Sequence, residues 1–242
     1  MRIGCVPYLN AKPLAAFMDY PVQFYVPSVL EQMIQDNHLD IALVSSITFL
    51  KNPDFIPIYE GGIIKSTGPV DSVCLFYRKD LGNISNIKTI SYTTESKTSV
   101  ALFKILWTQY WKHKLENLEL TTQNPDAILL IGDKALNFDD AQYTKVDLGE
   151  AWHLLTGKPF VYALWASRIQ LDEKIRRLFF QAKELGLKKR AQLVERETNP
   201  SKALHYLTKN IQYEMNAEAL EGLNLFQDYC FKLELINQKR FL

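Results

Sequence analysis

An alternation in the first 45 residues constrains this chain most. Short apolar runs at 3–6 (IGCV), 22–26 (VQFYV) and 41–44 (IALV) are separated by segments of helical character. Four consecutive apolar residues in IALV predict a strand buried on both faces, and such strands belong to sheets covered by helices. A helix is predicted over about 11–18, and another is opened by Pro27-Ser28. In the second, Ser28 and Glu31 have capping-box spacing, and Leu30, Met33 and Ile34 form an apolar stripe. The order β-α-β-α-β predicts an α/β fold with a mostly parallel sheet flanked by helices.

The pattern then starts again. A loop over 61–69 leads to a strand at 73–77, and a strand at 89–92 enters the polar stretch Thr93–Ser99 and a helix to about 112. A strand at 127–131 ends in Gly132-Asp133, a loop is predicted over 152–160, and a strand over 160–166. The remainder is helical: Ile175, Leu178, Phe179, Ala182 and Leu185 share one helix face, and Asn216 is placed to cap a last helix. "DIALVSSITFL" from Asp40 and "DAILLIGDKAL" from Asp126 echo one another at an offset of 86 residues, which also sets Asn10 on Ser96. The echo predicts two lobes: 1–77 with 163–242, and an inserted 78–162, with crossings near Tyr77 and Tyr162. Asn10, Ser45, Ser46, Ser96, Thr98, Ser99, Gly132 and Asp133 then lie at the carboxyl ends of strands, the edge at which open α/β sheets bind ligands.

Charge narrows the function. The 28 basic and 27 acidic residues leave a net +1, with no basic excess for nucleic acid or a membrane surface. No run reaches the roughly 20 apolar residues of a membrane span, and no apolar signal core precedes the first strand. Cys5, Cys74 and Cys230 are far apart, and the first two sit in apolar runs, as reduced buried thiols of a cytoplasmic protein do. No CxxC, HExxH, GxGxxG or GxxxxGK[ST] motif occurs, so neither a metal nor a nucleotide cofactor is expected. What remains is chemistry at helix N-termini. Free N–H groups and a partial positive charge there hold carboxylates. Asn10 is placed to cap the first helix, and Ser96, Thr98 and Ser99 open the helix of the second lobe. The same residues also serve as ordinary helix caps.

Taken in order, "VPYLNAKPL", "LDIALVSS", "GPVDSV", "ESKTSVAL", "DAILLIGDKAL" and "DLGEAWHLLTGKPFVYALWA" resemble the chorismate dehydratase family of menaquinone biosynthesis (the futalosine route), over roughly two-thirds of the chain. The resemblance implies a two-lobed fold of the periplasmic-binding-protein type with the ligand in the cleft. It also implies removal of water from chorismate to give 3-[(1-carboxyvinyl)oxy]benzoate, without a cofactor. It assigns active-site roles to Asn10 of "YLN" and Ser72 of "GPVDS". Thr98 and Ser99 are expected to bind a carboxylate, with Ser45, Ser46, Ser96, Gly132 and Asp133 lining the cleft. Trp152 is either a cleft wall or a packing residue. None of His38, His113, His153 and His205 falls in a block that suggests acid–base work, and Lys12 is expected to be a solvated helix residue. The family is thought to use the substrate's own enolpyruvyl carboxylate as proton acceptor, and neutral donors would position that group. The related dihydroxynaphthoate-forming enzyme and a pure small-carboxylate binding protein share the scaffold, which does not fix function.

Overall fold

The computed structural model describes residues 1–242 and shows an α/β protein built on two sheets. The strands are β1 (Ile3–Cys5), β2 (Val22–Phe24), β3 (Ile41–Ser45), β4 (Ile56–Pro57), β5 (Ile63–Ser66), β6 (Val73–Arg78), β7 (Thr89–Ser91), β8 (Glu119–Leu120), β9 (Ala127–Ile131), β10 (Tyr143–Asp147) and β11 (Phe160–Ser167). The helices are α1 (Lys12–Ala15), α2 (Pro27–Gln35), α3 (Ser46–Lys51), α4 (Lys97–Ile105), α5 (Gly132–Leu136), α6 (Leu148–Thr156), α7 (Glu173–Lys188), α8 (Arg190–Leu193), α9 (Pro200–His205) and α10 (Ala217–Lys232).

The first sheet has the order β2-β1-β3-β11-β4, with β5 also pairing with β11, and the second the order β10-β6-β9-β7-β8. Parallel pairing is confined to β2-β1-β3 and β9-β7-β8. Beside each parallel set lies an antiparallel strand, β11 against β3 and β6 against β9. The repeat holds to the residue: β1 and β7 start at Ile3 and Thr89, and β3 and β9 at Ile41 and Ala127, each pair 86 residues apart.

The crossings fall earlier than Tyr77 and Tyr162. β6 is paired to β9 and β10 from its first residues, so 73–77 lie in the second sheet. β11 is paired to β5 from Phe160, so 160–162 already lie in the first. An apolar run reports burial, and these strands are buried whichever sheet they join; only hydrogen bonding decides membership. One apolar core runs through both sheets, from Ile3 and Leu43 to Leu75 and Leu129. Trp152 packs inside it, edge-on to Phe160, Phe226 and Tyr229, with its indole N–H donated to Pro159 O.

Local expectations differ from the structure at four places. α2 begins at Pro27 after Val26 and has no side-chain cap, so Ser28 lies inside the helix; Glu31 instead meets Lys97 Nζ at 2.9 Å. α1 is a single turn, and Asn10 sits in the 3-10 turn Leu9–Ala11 and caps nothing. The expected loop at 61–69 contains β5, and residues 152–156 belong to α6, which ends at Gly157 in the left-handed region. Ser96 and Asn216 do cap their helices, accepting from Ser99 N and Ala219 N.

One buried carboxylate ties these elements together. Asp147, at the end of β10, accepts the N–H groups of Gly149 (2.9 Å) and Glu150 (3.1 Å) at the start of α6. It also accepts those of Val70 (3.0 Å) and Asp71 (2.6 Å) in the segment that enters β6. Burial moves its pKa upward, and the N–H donors oppose that shift. Close approach continues at Gly149, where a Cβ would stand 2.6 Å from Tyr162 Oη and 2.7 Å from Gly68 O. Removing the carboxylate leaves up to four buried N–H groups unpaired. Asp147→Ala is therefore expected to cost about 3 kcal/mol and to lower Tm by roughly 6–12 °C. A melting temperature within about 2 °C of the parent would contradict this role.

Candidate active site

Between the two sheets lies a cleft that encloses about 590 Å³ when the space open to solvent is included. Val6, Leu43, Ile64, Val70 and Ile131 supply apolar wall, and Tyr8, Asn10, Ser45, Ser72, Ser96, Ser99 and Tyr162 supply polar groups. None of the sixteen lining residues is Asp, Glu, His, Lys or Arg. A ligand there meets hydroxyls, an amide and backbone dipoles, and no formal charge.

Each polar group is placed by a strand end. β1 turns through Pro7-Tyr8 into the 3-10 turn that carries Asn10. Ser72 precedes β6 on the segment that Asp147 holds, after Asp71 at φ +60°, a conformation Asp adopts more readily than most residues. Its carbonyl accepts the N–H of Gly132 at 2.8 Å, which binds the start of β6 to the start of α5. Gly132 has φ +56°, and the Tyr8 ring passes 3.5 Å from where a Cβ would stand. Ser45 ends β3, and Ser96 and Ser99 lie at the N-terminus of α4, where Ser96 Oγ and Ser99 Oγ are 3.0 Å apart.

A chain of neutral hydrogen bonds reaches the cavity. Asn10 Nδ2 donates to Tyr206 Oη (3.2 Å), and Tyr206 Oη donates to Ser72 Oγ (2.7 Å). Ser72 Oγ is thereby an acceptor, so its own proton is free for a ligand. Asn10 Oδ1 is buried and has no partner in the protein, and Asn10 is one of the residues that line the cavity. Burial raises the pKa values of Tyr8, Tyr162 and Tyr206, so all three phenols stay protonated around neutrality. Across the cleft, Tyr8 Oη donates to Glu95 Oε2 (2.7 Å), and Lys134 also binds Glu95. Burial pushes the Glu95 pKa up, but the hydrogen bonds from Lys134 and Tyr8 and the Lys134 charge outweigh it, so the net shift is downward.

Asn10, Ser45, Ser72, Ser96, Ser99 and Gly132 thus come together around one cavity. The other three expected cleft residues do not. Ser46 is fully buried and donates to Val161 O at 2.6 Å. Thr98 accepts Ile47 N at 2.9 Å, which joins the N-termini of α3 and α4. Asp133 points to a second cavity, which it lines with Leu9, Asp71, Glu197 and Tyr206. In each case a residue at a strand end faces the neighbouring helix or the outer rim. Lys12 is not simply solvated but pairs with Glu197. No histidine lines the central cavity, and no three His, Cys, Asp or Glu side chains converge in a metal-binding group. Tyr206 and Tyr162 were missed. Nothing in "ALHYLTKN" marks Tyr206, and Tyr162 looks like any inward strand residue. All three cysteines are free and buried, and no helix is long and apolar enough to cross a membrane.

Two βαβ-containing lobes with a cleft between their strand ends define the periplasmic-binding-protein class of fold. Solved structures of low identity share it. A protein from Archaeoglobus fulgidus aligns with TM-score 0.75 at 14% identity, covering 97% of this chain and 98% of that one. The periplasmic aliphatic sulphonate binding protein of Escherichia coli aligns with TM-score 0.63 at 12% identity, covering 99% and 94%. Within that class the chain belongs to the menaquinone biosynthesis family, whose profile matches residues 1–232. It is 28% identical to the chorismate dehydratase of Thermus thermophilus over 93% of each chain. It is 23% identical to that of Campylobacter jejuni over 97% of this chain and 100% of the relative.

The depressed Glu95 pKa makes its link to Tyr8 and Lys134 fully present above the ordinary glutamate value of about 4.3 and lost as pH falls through the lower folded value. Carboxyl NMR titration should find the Glu95 pKa below the ordinary range, and Tyr8→Phe should move it upward by removing one donor to the carboxylate. An unmoved value in Tyr8→Phe would show that the phenol does not hold Glu95.

Proposed function

We propose that this protein is a chorismate dehydratase: it eliminates water from chorismate to form 3-[(1-carboxyvinyl)oxy]benzoate in the futalosine route of menaquinone biosynthesis. The observation that carries the proposal is the uncharged cavity, in which Ser72 Oγ–H and Asn10 Oδ1 are left free for a ligand. Family membership and the chorismate dehydratases among its relatives support the choice of substrate. The unpaired buried cysteines suit a reducing compartment, and the proposal includes a cytoplasmic location.

The reaction needs a proton removed from C3 and a hydroxyl lost from C4. The C3–H bonding pair becomes the ring π bond, the C4–O pair leaves with oxygen, and the proton lost from C3 is the one that oxygen needs to depart as water. Atoms and charge balance without a redox partner. No lining side chain is a carboxylate or imidazole, so the proton acceptor is assigned to the substrate's enolpyruvyl carboxylate. The protein's part is orientation. Asn10 Oδ1 accepts from the C4 hydroxyl, Ser72 Oγ–H donates to the same oxygen as its charge grows, and the α4 N-terminus with Ser96 and Ser99 holds a carboxylate. Val6, Ile64 and Val70 pack on the ring and exclude water that would compete for the proton.

Incubation with chorismate, followed by chromatography and mass detection, should show loss of one water faster than in protein-free buffer. Chorismate that binds but survives would overturn catalysis and leave a binding protein. Asn10→Ala should lower kcat by about 100- to 1,000-fold with Tm nearly unchanged, and full activity would remove Asn10 from the mechanism. Since no lining group titrates between about pH 6 and 9, kcat should be flat across that interval. An arm near pH 6.5 would point to a histidine base.

A further inference from the structure

Asn10 and Ser72 do not touch one another; the phenol of Tyr206 joins them, accepting from Asn10 Nδ2 at 3.2 Å and donating to Ser72 Oγ at 2.7 Å. We propose that Tyr206 is a positioning residue for the dehydration: its hydroxyl holds the Asn10 amide and the Ser72 hydroxyl in the orientations that present Oδ1 and Oγ–H to the substrate. The proposal rests on the functional reading above for its kinetic consequences, and on the geometry alone for its structural ones.

Hydrogen counting makes the arrangement directional. A phenol has one proton, and Tyr206 gives it to Ser72. Ser72 must then point its own proton elsewhere, and the cavity is the space it lines. Asn10 spends one N–H on Tyr206, which fixes the amide plane and leaves Oδ1 without a partner in the protein. A row of two such bonds polarises its members in one direction, so Ser72 becomes a stronger donor than an isolated serine. Burial supports this: Tyr206 is 3% exposed, and its raised pKa keeps it a neutral donor across the working range. The residue comes from the far end of the chain, in the turn Tyr206–Asn210 that follows α9. It joins β1 and β6 elements that lie 62 residues apart at Asn10 and Ser72. Tyr206 also lines the second cavity, beside Asp133 and Glu197.

The test is Tyr206→Phe, which keeps the ring and deletes the bridge. The expected result is a kcat lowered by about 10- to 100-fold, with KM within about threefold and Tm within a few degrees of the parent. In a Ser72→Ala background the same change should cost little more, because the two groups act as one unit. A kcat within twofold of the parent, or losses that simply multiply, would overturn the proposal. Crystal structures of the parent and Tyr206→Phe supply a readout that needs no activity. Asn10 and Ser72 should hold single rotamers in the parent and change them in the variant. Unchanged rotamers would overturn the proposal even if chorismate proved not to be the substrate, whereas changed rotamers in an inactive parent would support the bridge and refute the functional reading. If Tyr206→Phe fails to fold, the parent crystal structure decides alone: Oη within hydrogen-bond reach of both partners supports the bridge, and its absence refutes it.

Discussion

The carboxylate of Asp147 is the interaction on which the site depends. It faces N–H groups from the segment that enters the second sheet and from the helix that leads back to the first. A buried carboxylate is costly unless its lone pairs are taken, and here backbone donors take them. The same bonds therefore stabilise both passages between the lobes and set the height at which Ser72 meets the cavity. Gly149 lets the two passages touch, since a Cβ there would stand 2.7 Å from the carbonyl oxygen of Gly68.

With the crossings held, catalysis becomes a question of what the cavity leaves out. A dianionic substrate would ordinarily attract arginine or lysine, yet the lining carries neither. In the proposed reaction the α4 N-terminus and the hydroxyls of the lining would do this work with partial charges, which orient an anion without quenching its basicity. That suits a reaction in which the substrate's own carboxylate acts as base. Ion pairs occur outside the lining: Glu31–Lys97 joins the two lobes, and Glu95–Lys134, within the second lobe, holds the carboxylate that Tyr8 reaches across the cleft.

Much of this was legible in the residues and some was not. The strands β1, β3 and β9 could be placed because each is a continuous apolar run, and the 86-residue offset that sets Ile41 on Ala127 also sets Ile3 on Thr89, where β7 starts. Asn10, Ser45, Ser72, Ser96, Ser99 and Gly132 stand around one space because strand ends converge there. Ser46, Thr98 and Asp133 are one or two positions away from cavity residues in sequence and turn from it, since successive residues at a strand-to-helix turn point in different directions. α6 runs into Thr156-Gly157-Lys158-Pro159, whose turn residues read as a loop, although Asp147 and Gly157 mark its two ends as cap residues do. β5 lay in a stretch that Gly61, Gly62 and Pro69 made look like a loop. Tyr206 had no local signature at all; its role comes from a tertiary contact spanning 134 residues.

The central claim is that this cavity orients a substrate that carries its own base. The most direct measurement uses chorismate in which the enolpyruvyl carboxylate is replaced by its amide, compared with chorismate itself under single-turnover conditions. The account predicts that the amide binds and is not dehydrated at a measurable rate. Dehydration of the amide at the rate of chorismate would contradict it and place the base in the protein.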